Sequence, residues 1–242
     1  MLSCLYKMNS VKEVIQTFRR RLLASDIAPD IVKIIYFGSR AKGRPRKESD
    51  LDILIISSNG EKVHQRVAEI AFELQMNYGA PLEPLVESLD NLIPVNSYFL
   101  YNILRYGKEV YTMKKKDLKR KASQNLSFLA EEYLDAAENS LNNGHPRLAV
   151  DAAYNSAELS VKALLLKKID DLPGSHGGIV SKFGALYVKT KEMERSLGRD
   201  LNQALELRNS ARYKYQATIT KDQAKAIIAL AQRLIELTKT HL

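Results

Sequence analysis

The stretch Gly38-Ser39-Arg40-Ala41-Lys42-Gly43-Arg44-Pro45-Arg46-Lys47-Glu48-Ser49-Asp50-Leu51-Asp52 decides the fold of the first half of this chain. Apolar runs rich in β-branched residues flank it at 31–37 and 51–56, and each run predicts a buried strand. The stretch therefore joins two strands. A turn of small residues, Gly38-Ser39, ends the first strand, and an Asp-x-Asp pair begins the second.

The Asp-x-Asp pair is the first sign of chemistry. Asp50 and Asp52 stand two positions apart on a strand, so their side chains project from the same face. Oxygen ligands of this kind suit Mg²⁺, or Mn²⁺, which also takes waters and substrate phosphates as ligands. Backbone N–H groups of the Gly38-Ser39 turn and the Ser39 hydroxyl are suited to hold phosphates. The array predicts a site for ATP or another nucleoside triphosphate, although the Walker spacing Gly-x-x-x-x-Gly-Lys is absent.

A third carboxylate is expected to complete such a metal site. Glu83 is the candidate, because the short strand predicted at 82–86 should lie beside the Asp50/Asp52 strand, and Glu87 is the alternative. The loop between the turn and the acidic pair is basic, so it either offsets phosphate charge or forms an ordinary surface loop. Its cations are Arg40, Lys42, Arg44, Arg46 and Lys47.

Helical periodicity surrounds these strands and then replaces them. Apolar spacing and capping signals predict helices at about 11–22, 61–78 and 96–106 in the first half. From residue 117 onward β-branched runs disappear, and five helices are predicted at roughly 118–143, 146–168, 178–195, 199–215 and 221–240. The pattern predicts an α+β chain, with a short mixed sheet flanked by helices in a domain at 1–113 and an all-α bundle at 114–242.

Charge and composition narrow the class of protein. The 242 residues carry a net charge of +9, of which +2 falls on 1–113 and +7 on 114–242. A lysine-rich run at 114–121 either meets nucleic-acid phosphates or forms a solvated linker. No apolar run is long enough to span a membrane, and Cys4 has no cysteine partner. We therefore expect a cytoplasmic protein without an internal disulfide.

The first half resembles the minimal nucleotidyltransferases of the polymerase-β type. The resemblance rests on Gly38-Ser39, ten intervening residues and Asp50-x-Asp52, with Ala41, Gly43 and Ser49 also in place. It implies metal-dependent transfer of a nucleoside monophosphate, commonly AMP from ATP, with Asp50 and Asp52 on the metal and Ser39 on phosphate. The family usually has an Asp followed by apolar residues at the third acid, whereas Glu83 is followed by Pro84.

The second half resembles the HEPN domains, helical bundles that accompany such transferases in toxin–antitoxin systems. Arg208 and Tyr215 match the motif Arg, four residues, His, one residue, Tyr, but Tyr213 stands at the histidine position. A tyrosine hydroxyl with a pKa near 10 is a poor proton shuttle at neutral pH, so the ribonuclease hypothesis loses its acid–base group. The resemblance further implies a homodimer through the helical domain. In paired systems of this family the transferase adds AMP to the motif tyrosine, which makes Tyr215 a candidate acceptor; the alternative is that Tyr213 and Tyr215 are aromatic packing residues.

Three functional hypotheses follow from the sequence. The first is a Mg²⁺-dependent nucleotidyltransferase with a protein or RNA acceptor and a HEPN domain that lacks the ribonuclease histidine. The second keeps the chemistry but takes a small molecule as the acceptor, as antibiotic nucleotidyltransferases do; the basic helical half disfavours a cationic drug. The third is a nucleotide-sensing or RNA-binding module without turnover, consistent with the unusual third acid and the absent histidine.

Overall fold

The computed structural model describes residues 10–43, 49–79, 81–89 and 97–241. Contacts between residues divide the chain into two compact units, Met1–Leu118 and Lys119–Leu242. The domain division that we predict, 113/114, falls between the last strand of the first unit and the long helix that follows it, and we retain it as a proposal. Cys4 lies outside the described residues.

The first unit is built on a four-stranded mixed sheet. Strand β2 (Leu51–Ser57) pairs antiparallel with β1 (Ile31–Tyr36) and parallel with β3 (Leu82–Ser88). Strand β1 also pairs antiparallel with β4 (Lys108–Thr112), so the order is β3-β2-β1-β4. This confirms the predicted mixed sheet and the place of β3 beside β2. The elements, in chain order, are α1 (Val11–Leu23), β1 (Ile31–Tyr36), α2 (Gly38–Ala41), β2 (Leu51–Ser57), α3 (Gly60–Tyr78), β3 (Leu82–Ser88), α4 (Tyr98–Tyr106) and β4 (Lys108–Thr112).

The two faces of the sheet pack against different helices. Ile53 and Ile55 of β2 belong to the cluster that includes the apolar faces of α1 and α3. Leu54 and Ile56 belong to the opposite cluster, which α4 closes with Leu100 and Ile103. Because side chains alternate along a strand, Asp52 lies on the same face as Leu54, which is the face that α4 covers. This alternation fixes where the acidic pair projects.

The second unit is a helical bundle centred on α6 (Pro146–Leu166). Twelve residues of α6 are buried, and this helix packs against the three helices that follow it, α7 (His176–Phe183), α8 (Arg195–Tyr213) and α9 (Lys221–His241). Its alanine and serine positions allow the neighbouring helices to approach closely; Ser156 Oγ, for example, donates to the carbonyl oxygen of Ala130 at 2.7 Å. The helices are α5 (Lys115–Asn142, which begins in the first unit), α6 (Pro146–Leu166), α7 (His176–Phe183), α8 (Arg195–Tyr213) and α9 (Lys221–His241).

One predicted helix of this unit is wrong in its extent. The sequence predicts a single helix at 178–195, but α7 ends at Phe183 and a short π-helical turn follows at Gly184–Val188. The buried residues Ile179, Phe183 and Tyr187 keep a spacing of four through the turn, so their apolar spacing is the same as that of a continuous α-helix. Lys191, with φ of 64°, lies in the left-handed region between this turn and α8.

No helix among the described residues combines the length and the apolar character that crossing a membrane requires.

Candidate functional site

The turn after β1 lies directly against the Asp-x-Asp strand. The backbone N–H of Phe37 donates to the carbonyl oxygen of Asp52 at 3.0 Å, which continues the β1–β2 pairing to the start of the turn. Gly38 has a φ of +80°, and a Cβ atom on it would lie 1.7 Å from Asp52 Oδ2. Only glycine can therefore occupy position 38 while the carboxylate of Asp52 lies against its backbone.

The negative charges of the two aspartates repel each other. Burial raises the pKa of Asp52, and the negative charge of Asp50 raises it further, against the opposing hydrogen bond from its own backbone N–H. Within the described part of the chain, no lysine or arginine forms an ion pair with Asp50 or Asp52. The site therefore holds negative charge that a cation would neutralise.

The predicted third acid is a neighbour of Asp52 along the sheet. Glu83 is the direct partner of Asp52 in the parallel β2–β3 register, whereas Glu87 pairs with Ile56, further along the same two strands. Register partners in parallel strands point to the same face, so Glu83 shares the face of the aspartates. Its side chain is exposed, and among the described residues no three acidic, histidine or cysteine side chains gather closely enough to hold a metal. The role of Glu83 as a metal ligand remains a prediction.

The residues present nevertheless fit a magnesium ion. Mg²⁺ in phosphoryl-transfer sites is commonly held by one or two carboxylates, with substrate phosphates and waters as its other ligands, so a ready-made cage of three side chains is not required. Asp52 in β2 and Asp50, the residue before β2, supply hard oxygen ligands. The close approach of Asp52 to the Gly38 backbone places the Asp52 carboxylate beside the turn that we expect to receive phosphates.

The remaining predicted binding residues surround this turn. Arg40 Nε donates a hydrogen bond to the carbonyl oxygen of Ser49, which ties α2 to the residue before Asp50. Ser39 is half-buried in the first turn of α2, and Lys42 is exposed at its end. Three further cations of the predicted basic loop, Arg44, Arg46 and Lys47, lie outside the described residues.

A second polar group lies inside the helical unit, and we call it the Arg208 cluster. It consists of Asp151, Tyr154, Glu158, His176, Arg208 and Tyr213. Arg208 is only 4% exposed, and its Nε donates to Asp151 Oδ1 at 3.1 Å. Its guanidinium carbon lies 5.9 Å from the centre of the Tyr154 ring and 5.8 Å from that of Tyr213. Arg208 is thus held from two sides by aromatic rings and neutralised by a carboxylate.

Glu158 is the buried acid of this cluster. Its carboxylate accepts hydrogen bonds from Tyr154 Oη at 2.8 Å and from Lys162 Nζ at 2.6 Å, and it hydrogen-bonds His176 Nδ1. Burial acts to raise the pKa of Glu158, but these three hydrogen bonds outweigh it and hold the pKa below its ordinary value. For Tyr154, burial and the adjacent Glu158 carboxylate raise the pKa, so this hydroxyl stays protonated as a donor.

The motif tyrosines have little packing with the rest of the unit. Tyr213, the last residue of α8, is 70% exposed, and Tyr215 is 88% exposed. The segment that carries them is fastened through its backbone, since the Arg147 guanidinium donates to carbonyl oxygens of Ala211, Lys214 and Ala217. Neither tyrosine ring is therefore part of the core of this unit.

Comparison with known proteins identifies both halves of the chain. Residues 21–116 match the model of the polymerase beta nucleotidyltransferase family, and residues 123–241 match that of the HEPN domain. The chain is 33% identical over 113 residues to the candidate toxin MJ0142 of Methanocaldococcus jannaschii, which covers 76% of that protein and 47% of this chain. The chain belongs to the nucleotidyltransferase–HEPN family.

Further comparisons support the same family. The candidate protein adenylyltransferase MJ0604, also of Methanocaldococcus jannaschii, is 37% identical over 82 residues, which is 79% of that protein and 34% of this chain. Two solved structures were also matched. Spectinomycin adenyltransferase AAD(9) from Enterococcus faecialis, solved with ATP and spectinomycin, is 14% identical over 93% of this chain and 99% of its own, with a TM-score of 0.32. A nucleotidyltransferase-like protein from Exiguobacterium sibiricum is 8% identical over 92% of this chain and 75% of its own, with a TM-score of 0.34. These TM-scores are too low to add to the assignment.

The interior of the HEPN domain holds the residues that sequence reasoning missed. Asp151, Tyr154 and Glu158 recur at helical spacing on α6, so they form a polar stripe on a helix that is otherwise buried. That stripe is a signal in the sequence, since polar side chains on a core helix require partners. The fold brings His176 to the same stripe from the start of α7, and its ring lies edge-on to Tyr154 at 5.8 Å.

Proposed function

We propose that the nucleotidyltransferase domain transfers a nucleoside monophosphate, AMP from ATP in the first instance, to a protein or RNA acceptor. The observation that carries this proposal is the contact between the backbone of Gly38 and the carboxylate of Asp52. This contact puts the Asp52 carboxylate against the turn that we expect to receive phosphates, which supports a site for a triphosphate and its metal ion.

The chain's own residues would position the reaction. The Gly38 and Ser39 backbone and the Ser39 hydroxyl would hold the outer phosphates, with Lys42 beside them and with Arg40 and Ser49 keeping the turn in place. Asp50, Asp52 and Glu83 would hold Mg²⁺ or Mn²⁺. When bound, the ion would neutralise phosphate charge and help to align the triphosphate.

The proposed transfer exchanges one phosphorus–oxygen bond for another. The acceptor's hydroxyl oxygen forms a bond to the α-phosphorus of the triphosphate, while the bond from that phosphorus to the bridging oxygen toward the β-phosphorus breaks. Pyrophosphate leaves with the bonding electrons. The hydroxyl proton passes to a carboxylate of the site.

A tyrosine of the HEPN domain is a concrete candidate acceptor. The Tyr215 side chain is almost fully exposed, and its hydroxyl has a single weak contact, in which Gln216 Nε2 donates at 3.3 Å. An exposed hydroxyl is available to an active site, whether of the same or of another copy of the chain. The relatives named as a candidate toxin and a candidate protein adenylyltransferase are consistent with a toxin–antitoxin role for such a modification. A homodimer through the HEPN domain and a cytoplasmic location complete the proposal.

The test is transfer of label from ATP carrying ³²P at the α-phosphate. With Mg²⁺ the protein should release pyrophosphate and label an acceptor, and Asp50→Ala and Asp52→Ala should each abolish both signals. Mass spectrometry of the modified chain should find AMP on Tyr215, and Tyr215→Phe should remove it. Labelling that persists in Asp52→Ala would refute the assignment of the site, whereas labelling of an added acceptor alone would refute only the role of Tyr215.

One observation favours a second function, nucleotide binding without turnover. The carboxylate of Glu83 is not gathered with those of the aspartates, although its backbone is in register with Asp52. A module of this kind would bind ATP with Mg²⁺ and release no pyrophosphate with any acceptor. Glu83→Gln distinguishes the two, because it should slow turnover if Glu83 completes the site and should leave ATP binding nearly unchanged in a module that only binds.

A further inference from the structure

A cavity of about 480 Å³ opens beside the acidic site, within the nucleotidyltransferase domain. One wall carries the groups already described, Gly38, Lys42 and Asp52. The other wall is one stripe of α4, formed by Phe99, Asn102, Ile103 and Tyr106. These four residues recur at helical spacing, so they lie on a single face of the helix. The volume falls within the range of small-molecule sites, about 300 to 1000 Å³.

The two walls differ in chemistry as the two ends of a nucleotide do. The first wall offers the Gly38 turn, an ammonium group and the carboxylate of Asp52. The second offers aromatic rings and one amide. Phe99 is set at its place by an edge-to-face contact with Phe37, with ring centres 5.9 Å apart. The Tyr106 ring is 61% exposed and lies outside the apolar clusters of the domain. The Arg105 guanidinium carbon lies 5.5 Å from the ring centre on one face, so the other face is the one that a base would stack on.

The amide on this wall can distinguish between bases. Asn102 Nδ2 donates one hydrogen bond, to the carbonyl oxygen of Tyr98 at 2.9 Å. Its second N–H and its Oδ1 atom make no hydrogen bond with other described residues. An asparagine amide of this kind pairs with adenine, accepting from N6–H and donating to N7. Guanine presents acceptors at both positions, so it would face Oδ1 with an oxygen.

We propose that this cavity is the adenine pocket of the nucleotidyltransferase site, in which the base stacks on Tyr106 and Phe99 and pairs with Asn102. The inference rests on the proposed function, because it takes the phosphates to lie at Gly38 and the metal at Asp52. It adds selectivity for the base of the nucleotide, which groups that bind only phosphates and metal do not provide.

The experiment measures binding calorimetrically with three probes in the presence of Mg²⁺. They are the α,β-methylene analogues of ATP and GTP, in which the scissile oxygen is replaced, and inorganic tripolyphosphate, which has no base. The full-length chain should bind the ATP analogue more tightly than the other two. Tyr106→Ala should weaken the ATP analogue by roughly ten-fold or more, since base stacking on an aromatic side chain contributes on that order, and should leave tripolyphosphate unchanged. Asn102→Ala should bring the affinities for the ATP and GTP analogues close together.

Tyr98→Ala is the matched control. It removes the same side chain from the same helix, at a position that is 81% exposed and does not line the cavity, so it should bind all three probes as the parent does. Equal effects of Tyr106→Ala and Tyr98→Ala would overturn the pocket, and so would a parent protein that binds the ATP analogue no better than tripolyphosphate. Loss of tripolyphosphate binding in Tyr106→Ala would assign that ring to the phosphate site or to the fold and would also overturn it. A parent that binds none of the probes would refute the proposed function itself.

Discussion

The acidic site of the nucleotidyltransferase domain and the Arg208 cluster of the HEPN domain handle charge in opposite ways. Asp50 and Asp52 repel each other, and no described cation forms an ion pair with either. Glu158, which is far more buried, receives hydrogen bonds from a lysine, a tyrosine and a histidine, and Arg208 has Asp151 as its partner. Among the described residues, the acidic site has no paired cation, while the Arg208 cluster is internally neutralised.

The difference indicates what each region is for. Carboxylates without counter-charge make folding less favourable, unless a ligand brings the missing cation. A fully paired buried cluster needs no ligand, and removal of one member leaves its partners unsatisfied. We therefore expect substitutions at the acidic site to change activity and those in the cluster to change stability.

The largest expected effect is that of Asp52→Asn on activity. It should lower pyrophosphate release by about a thousand-fold or more, because it removes a charge that holds the metal and a candidate proton acceptor. Without Mg²⁺ the free energy of unfolding should stay the same or rise, since the change removes the repulsion from Asp50. Glu109→Gln is the control, as it removes one charge from β4 of the same sheet and should leave turnover near that of the parent. A variant that loses stability and activity in parallel would contradict the distinction.

Glu158→Ala should have the opposite signature. Loss of this buried acid leaves Lys162, Tyr154 and His176 without their hydrogen-bond partner. We expect it to lower the free energy of unfolding by roughly 2 to 4 kcal/mol in denaturant titrations. Glu206→Ala removes an exposed acid from α8 and should change stability by no more than about 0.5 kcal/mol. Equal losses in the two variants would show that the hydrogen bonds to Glu158 add nothing.

The pH dependence of stability should reveal the same acid. The hydrogen bonds hold the pKa of Glu158 below its ordinary 4.5 in the folded chain, so its stabilising effect is complete above that pH and is lost as the pH falls through the lower, folded value. Urea titrations from pH 7 down to pH 3 should show a smaller loss in Glu158→Gln than in the parent. The same slope in both proteins would mean that Glu158 does not contribute to acid unfolding.

A pair of glycine substitutions separates backbone strain from the contact at the site. Gly38→Ala and Gly43→Ala both place a Cβ atom at positive φ, but only the first puts it against the Asp52 carboxylate; at Gly43 nothing lies within 4 Å. We expect a cost of about 1 kcal/mol for Gly43→Ala and of roughly 2 to 3 kcal/mol for Gly38→Ala, with loss of nucleotide binding in the latter alone. Thermal unfolding and ATP-analogue binding measure the two effects. Equal results for the two variants would show that the Gly38–Asp52 contact contributes neither to stability nor to nucleotide binding.

The smallest effect is expected at the motif tyrosines. Tyr213→Ala removes an exposed ring that lies 5.8 Å from the Arg208 guanidinium and should cost about 0.5 to 1 kcal/mol. Tyr215→Ala removes a ring with no such contact and should cost less. Chemical denaturation of both variants tests this, and a loss of several kcal/mol at either position would show that the tyrosine packs into the domain.

The fold of the nucleotidyltransferase domain follows from local signals. Two β-branched runs separated by a glycine turn and an acidic pair have few alternatives to an antiparallel pair of strands, and the β2–α3–β3 order then places β3 parallel to β2. The pairing of Glu83 with Asp52 was predictable for the same reason. The position of the Glu83 carboxylate was not predictable, because the rotamer of an exposed side chain depends on ligands that the sequence does not specify.

The parts that could not be predicted depend on contacts between distant segments. The meeting of His176 with Glu158 needs the packing of α7 on α6, and the cavity at α4 needs the placement of that helix against the turn after β1. In α7 the apolar spacing continued through a π-helical turn, so the periodicity predicted a longer helix than the chain forms. Periodicity reports which face is buried, but not how many residues each turn contains.

The most direct test of the contrast is pyrophosphate release by three proteins under one condition: the parent, Asp52→Asn and Glu158→Gln, with ATP and Mg²⁺ at a temperature at which all three are folded. We predict release by the parent and by Glu158→Gln, and none above background by Asp52→Asn. Release that persists in Asp52→Asn, or that is lost equally in both variants, would contradict the assignment of the chemistry to the acidic site.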